Sequence, residues 1–139
     1  MTSSPDSPLS QTEGDPVRVA RTDTVELHLR PDGILVVRVS ATPQTVDDAR
    51  KNLALARDLV GGETVPMLVD IRTAGPLDRP SRDVYAQEAD FISAQALLVG
   101  SAFSRIAANL FLRLSSARHE VAAFDDPDDA LRWLQDRRA

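Results

Sequence analysis

Val65-Pro66-Met67-Leu68-Val69-Asp70-Ile71 (residues 65–71) is a nearly continuous apolar run carrying a single carboxylate near its end. A strand with one wet face alternates apolar and polar residues, whereas a strand covered on both faces has no need to. The run therefore reads as a central strand of an α/β domain, with Pro66 confined to its start, where a missing N–H is tolerated. Upstream, Thr45 and Asp48 have the spacing of a capping box. Val46, Ala49, Leu53, Ala56 and Val60 then form the apolar stripe of a helix, and Gly61-Gly62 ends it. Farther upstream, Val25, Leu27 and Leu29 alternate with Glu26, His28 and Arg30. Pro31-Asp32-Gly33 supplies turn chemistry, and residues 34–39 form a second strand, completing a β-hairpin.

Downstream, a loop over residues 72–80 contains Gly75, Pro76 and Pro80. Ser81 is the expected N-cap of the next helix, which the pattern of Val84, Tyr85, Ala89 and Ile92 carries to about residue 93. Residues 96–99 read as a short buried strand. Phe103, Ile106, Ala107, Leu110, Phe111 and Leu114 give the following helix a wide apolar face. Residues 121–124 form the last strand. Asp126 then caps a final helix with Pro127 in its first turn, while Asp125, Asp128 and Asp129 face the positive end of the helix dipole. The order β-β-α-β-α-β-α-β-α predicts a single α/β domain with a mixed, mostly parallel sheet flanked by helices. Residues 1–21 contain Pro5, Pro8 and Pro16 and little that is large and apolar, so they are expected to be a disordered tail in front of a domain at 22–139.

The totals narrow the function classes. Sixteen basic against 21 acidic residues give a net charge of −5 in a 139-residue chain, which disfavours nucleic-acid binding and adsorption to anionic membranes. With no cysteine, disulfides and thiolate chemistry are excluded. No secretory pattern opens the chain, and no apolar run approaches the roughly 20 residues of a membrane span. A cytoplasmic protein without membrane insertion is expected.

Several stretches resemble the STAS-like domains, the fold of bacterial anti-sigma-factor antagonists, and more narrowly an uncharacterised bacterial branch of that superfamily. They are Asp32-Gly33-Ile34-Leu35, residues 65–72, Ala96-Leu97-Leu98-Val99-Gly100-Ser101, and Phe124-Asp125-Asp126 leading to Ala130-Leu131-Arg132-Trp133-Leu134. The resemblance covers about residues 22–137. It implies a regulatory module that meets a protein partner, of regulatory-kinase or anti-sigma type, through the loop after the third strand. In such antagonists a serine at the start of the next helix is phosphorylated. The matching place is Asp78-Arg79-Pro80-Ser81, where the family's Asp-Ser-Ser-Gly arrangement is absent and Ser81 alone corresponds. Asp70, Arg72, Thr73, Asp78, Arg79, Ser81 and Arg82 are the candidate partner-binding residues, with Ser81 as the candidate phosphorylation site. A phosphate there would meet free N–H groups, with Arg79 and Arg82 adjacent.

Catalytic constellations do not assemble from the sequence. His28 and His119 are far apart, and both read as surface histidines. The acidic group at 125–129 lacks the EF-hand pattern, since Ala130 and Asp136 stand where glycine and glutamate are required. There is no Gly-rich phosphate loop and no G-x-S-x-G elbow. The Arg105, Asn109, Arg113 stripe reads as a solvated helix face. No enzyme activity, cofactor or metal is expected. The alternative to an interaction module is a small-ligand or lipid-binding domain of the same fold. A pocket between the helices at 82–92 and 102–114 would favour that alternative, and a filled core there would favour the interaction module.

Overall fold

The computed structural model of the chain describes residues 18–75, 77–100 and 119–137. Strands β1 (Arg18–Arg21), β2 (Val25–Leu29) and β3 (Leu35–Val39) come first, followed by helix α1 (Val46–Val60). Strand β4 (Val65–Asp70), helix α2 (Arg79–Glu88), strand β5 (Ile92–Leu98), strand β6 (Glu120–Phe124) and helix α3 (Pro127–Gln135) complete the order. The six strands form one sheet in sequential order, antiparallel from β1 to β3 and parallel from β3 to β6. This is the mixed, mostly parallel α/β sheet that the sequence pattern implies.

Local chemistry explains the borders. Thr45 accepts from the Asp48 N–H while the Asp48 carboxylate accepts from the Thr45 N–H, closing the capping box of α1. Gly61 ends that helix with φ of 65°, a left-handed conformation that costs glycine little. Pro66 is tolerated inside the sheet because pairing with β3 begins only at Met67 and the β5 register shifts between Val65 and Pro66.

Three expectations are corrected. The folded region starts earlier than residue 22, because Arg18–Arg21 pairs with β2 as an edge strand. Its mostly exposed residues give no alternation to detect. Ser81 is not the N-cap of α2. Asp78 holds that position, its side chain accepting from the Ser81 N–H at 2.9 Å, and Pro80 lies in the first turn. Finally, α2 ends at Glu88, and residues 92–98 form β5. Parallel pairing overrides the helical pattern there, with the Val65 N–H bonded to the Phe91 carbonyl and Ile92 opposite Val65. The tail at 1–17, the loop residue Pro76 and the helix expected near 102–114, with its Arg105, Asn109, Arg113 stripe, lie outside the described residues.

The two faces of the sheet pack differently. Helices α1 and α2 cover the face bearing Val25, Leu27, Leu35, Val37 and Val65. Helix α3 covers the opposite face, where Ala130 and Leu134 pack with Leu68, Ala94, Ala96 and Leu98.

Candidate functional site

Under α1 and α2 the sheet does not meet its helices everywhere. A cavity of about 600 Å³ lies there, within the ~300–1,000 Å³ range of small-molecule sites. Its floor is the alternate residues of the strands, including Val37, Met67, Val69 and Leu97. Leu53 and Ala56 of α1 wall one side, and Tyr85 and Arg82 of α2 another. Residues that follow the carboxyl ends of β3 and β4, namely Ser40, Thr42, Gln44, Ala74, Gly75 and Leu77, line its rim. That is the end of a parallel sheet at which α/β proteins take ligands. Gly75 is needed at the rim, because a Cβ there would lie 2.9 Å from the Ala41 carbonyl oxygen.

One end of the cavity is polar and built. Asn52, in the middle of α1 and 4% exposed, donates to Thr24 Oγ1 at 2.9 Å and to the Tyr85 hydroxyl at 3.0 Å, and accepts from Thr22 Oγ1 at 2.7 Å. Tyr85 in turn donates to Gln44 Oε1. Burial, reinforced by the Asp48 charge, pushes the Tyr85 phenol above its usual value despite its bonds to Asn52 and Gln44, so it stays a neutral donor. A buried network of this kind is stable only when its members are satisfied, and it fixes where the cavity wall stands.

The residues singled out from the sequence fall into two groups that share no hydrogen bond or ion pair among the described residues. Asp70 and Arg72 form the first. Arg72 grips the Asp70 carboxylate with its guanidinium at 3.0 and 2.9 Å and with its backbone N–H at 3.1 Å. Burial pushes the Asp70 carboxyl up, but these bonds and the charges of Arg72 and Arg38 outweigh it and hold the group below its ordinary value. Arg38 stands 3.8 Å from Asp70 and 3.5 Å from Glu26, which pairs with Arg21 at 2.7 Å, making a row of alternating charge across four strands. Thr73, exposed, donates to the Val39 carbonyl at 3.4 Å.

Asp78, Arg79, Ser81 and Arg82 form the second group, at the start of α2. The bond from the Ser81 N–H, with the Arg82 charge, holds the Asp78 carboxyl below its ordinary value. Arg79 is exposed beside Asp83 at 4.0 Å. Ser81 is fully buried, its hydroxyl making no well-formed hydrogen bond among the described residues though it lies close enough to help hold the Asp78 carboxyl down, so a kinase reaches it only if the first turn of α2 opens. Only Arg82 lines the cavity.

The histidines are less exposed than surface residues. Nε2 of His28 is buried with no partner among the described residues, and His119 Nε2 lies 3.0 Å from Gln95 Oε1. No group of three or more acidic or histidine side chains able to hold a metal occurs among the described residues, and no helix among them is long and apolar enough to cross a membrane.

Residues 27–138 match the family described as Domain of unknown function (DUF7793). The chain belongs to the DUF7793 family. Among solved structures, the DUF7793 chain is similar to an uncharacterised DUF3478-family protein with a SpoIIAA-like fold from Shewanella loihica PV-4. The TM-score is 0.57 at 16% identity, covering 85% of this chain and 91% of the other. The DUF7793 domain therefore has a SpoIIAA-like, that is STAS-like, fold, in keeping with the resemblance in its sequence. A protein of unknown function from Arthrobacter sp. FB24 shares 33% identity over 78% of this chain and 90% of its own, with a TM-score of 0.30. Among curated proteins none matches.

The cavity and the Thr24, Gln44, Asn52, Tyr85 network are what sequence reasoning missed. One signal was present. Asn52 falls three residues after Ala49 and four before Ala56, so it is a polar residue on the apolar stripe of α1.

Proposed function

We propose that this domain is a non-enzymatic regulatory module whose cavity binds a small, largely apolar molecule. The cavity under α1 and α2 carries the reading, because a filled core would have left only the outer surface for recognition. A second reading, contact with a protein partner through residues 72–82, draws on the same loop. Ala74, Gly75, Leu77 and Arg82 line the cavity while Arg79 is exposed. An occupant would therefore set the stance of the surface that a kinase-like or anti-sigma-like partner would meet in bacterial signalling, in the cytoplasm.

The neutral fluorophore N-phenyl-1-naphthylamine tests the reading. The full chain binds it, and Val69→Phe, which fills the floor of the cavity, weakens binding by about tenfold or more without lowering the melting temperature. Absence of binding by the wild-type protein would overturn the proposal.

A further inference from the structure

We infer that the natural occupant is an amphiphile with an anionic head, of the long-chain carboxylate class, whose head is received by Arg82; the inference rests on the ligand-binding reading above. Among the described residues lining the cavity, Arg82 is the one charged side chain. It is half-buried, and while its backbone N–H bonds the Asp78 carbonyl, its guanidinium forms no ion pair or hydrogen bond with any described residue. A guanidinium partly removed from water beside apolar walls interacts with the Asp78 charge without contacting it, and an entering carboxylate supplies a contacting partner with matching fork geometry. The nearby carboxylate of Asp78 does not fill that role. It is engaged with the Ser81 N–H as the helix cap, and among the described residues no ion pair joins it to Arg82.

A second donor stands at the same rim. Gln44 gives its carbonyl oxygen to Tyr85 and Asn52, which leaves its amide nitrogen without an acceptor among the described residues. The remaining lining is dominated by aliphatic and aromatic side chains, such as Val37, Met67, Leu97 and Phe91, and suits a hydrocarbon tail. A cation would be repelled by Arg82. A neutral alcohol would leave the guanidinium unpaired.

Dodecanoate and dodecanol, which share a tail and differ in head charge, separate the possibilities when each displaces N-phenyl-1-naphthylamine from the full chain. Dodecanoate binds about tenfold more tightly than dodecanol, as expected for a hydrogen bond to a charged group. Arg82→Gln brings dodecanoate to the level of dodecanol and leaves dodecanol unchanged, and Arg82→Lys restores part of the preference. Equal affinities in the wild type, or dodecanoate binding indifferent to Arg82→Gln, would overturn the anionic-head inference while the cavity reading stands. Failure of both compounds and of the probe to bind would overturn both.

Discussion

The two faces of β4 carry the contrast on which this protein turns. Leu68 points to the α3 side, where Ala94 and Ala96 are small enough for the helix to seat Ala130 and Leu134 at zero exposure. Met67 and Val69, its immediate neighbours, point the other way and border open space. Ties at its C-terminal end hold α3 down further. Trp133 and Phe124 have ring centroids 5.5 Å apart, Arg137 lies 4.0 Å over the Trp133 ring, and the same arginine grips Glu120 at 2.9 and 3.1 Å. On the opposite face Arg57 of α1 makes comparable ties, 5.1 Å over the Phe91 ring and 3.0 Å from Asp90, yet Met67 and Val69 still border the cavity. One strand thus serves a packed core with one set of residues and a binding space with the other.

Truncation on each face sharpens the comparison and has the largest expected effect. Leu134→Ala leaves a void in a closed core and costs about 3 kcal/mol, whereas Met67→Ala, half-buried beside existing space, costs about 1 kcal/mol. Urea denaturation measures both. Equal losses would erase the distinction between the faces.

A smaller effect concerns pH. Burial, with the Arg30 charge added and the Asp32 charge opposing, holds the His28 imidazole below its ordinary value, and burial does the same for His119. The unfolded chain therefore takes up protons near pH 6.5 that the folded chain resists. The stability is present above that value and is lost as pH falls through the lower folded value. Asp32 and Asp70, held below their ordinary values, lose their contribution only at lower pH, below about 4. The melting temperature falls between about pH 7 and pH 5, and His28→Gln makes that fall shallower. An unchanged slope would mean that His28 is wet in solution.

The sequence made some of this legible. The hairpin, α1 with its capping box, the central strand and the Asp126 cap of α3 follow from local chemistry that tertiary contacts leave intact. The start of α2 misled because Asp78 and Ser81 are both good caps, and only the backbone decides which side chain faces the free N–H groups. Ile92 misled because an apolar residue at helical spacing fits a strand as well. Burial on both faces was readable in residues 65–71, but burial does not say whether the neighbour is a side chain or a space. The candidate site was therefore read along the exposed loop, and only Arg82 of those residues lines the cavity.

Methyl NMR of the isotopically labelled chain during titration with dodecanoate tests the central claim most directly. The account predicts that the methyl signals of Val37, Met67, Val69 and Leu97 move and saturate together, while those of Leu68, Leu98 and Leu134 on the α3 face stay in place. Shifts spread equally over both faces, or none at all, would contradict it.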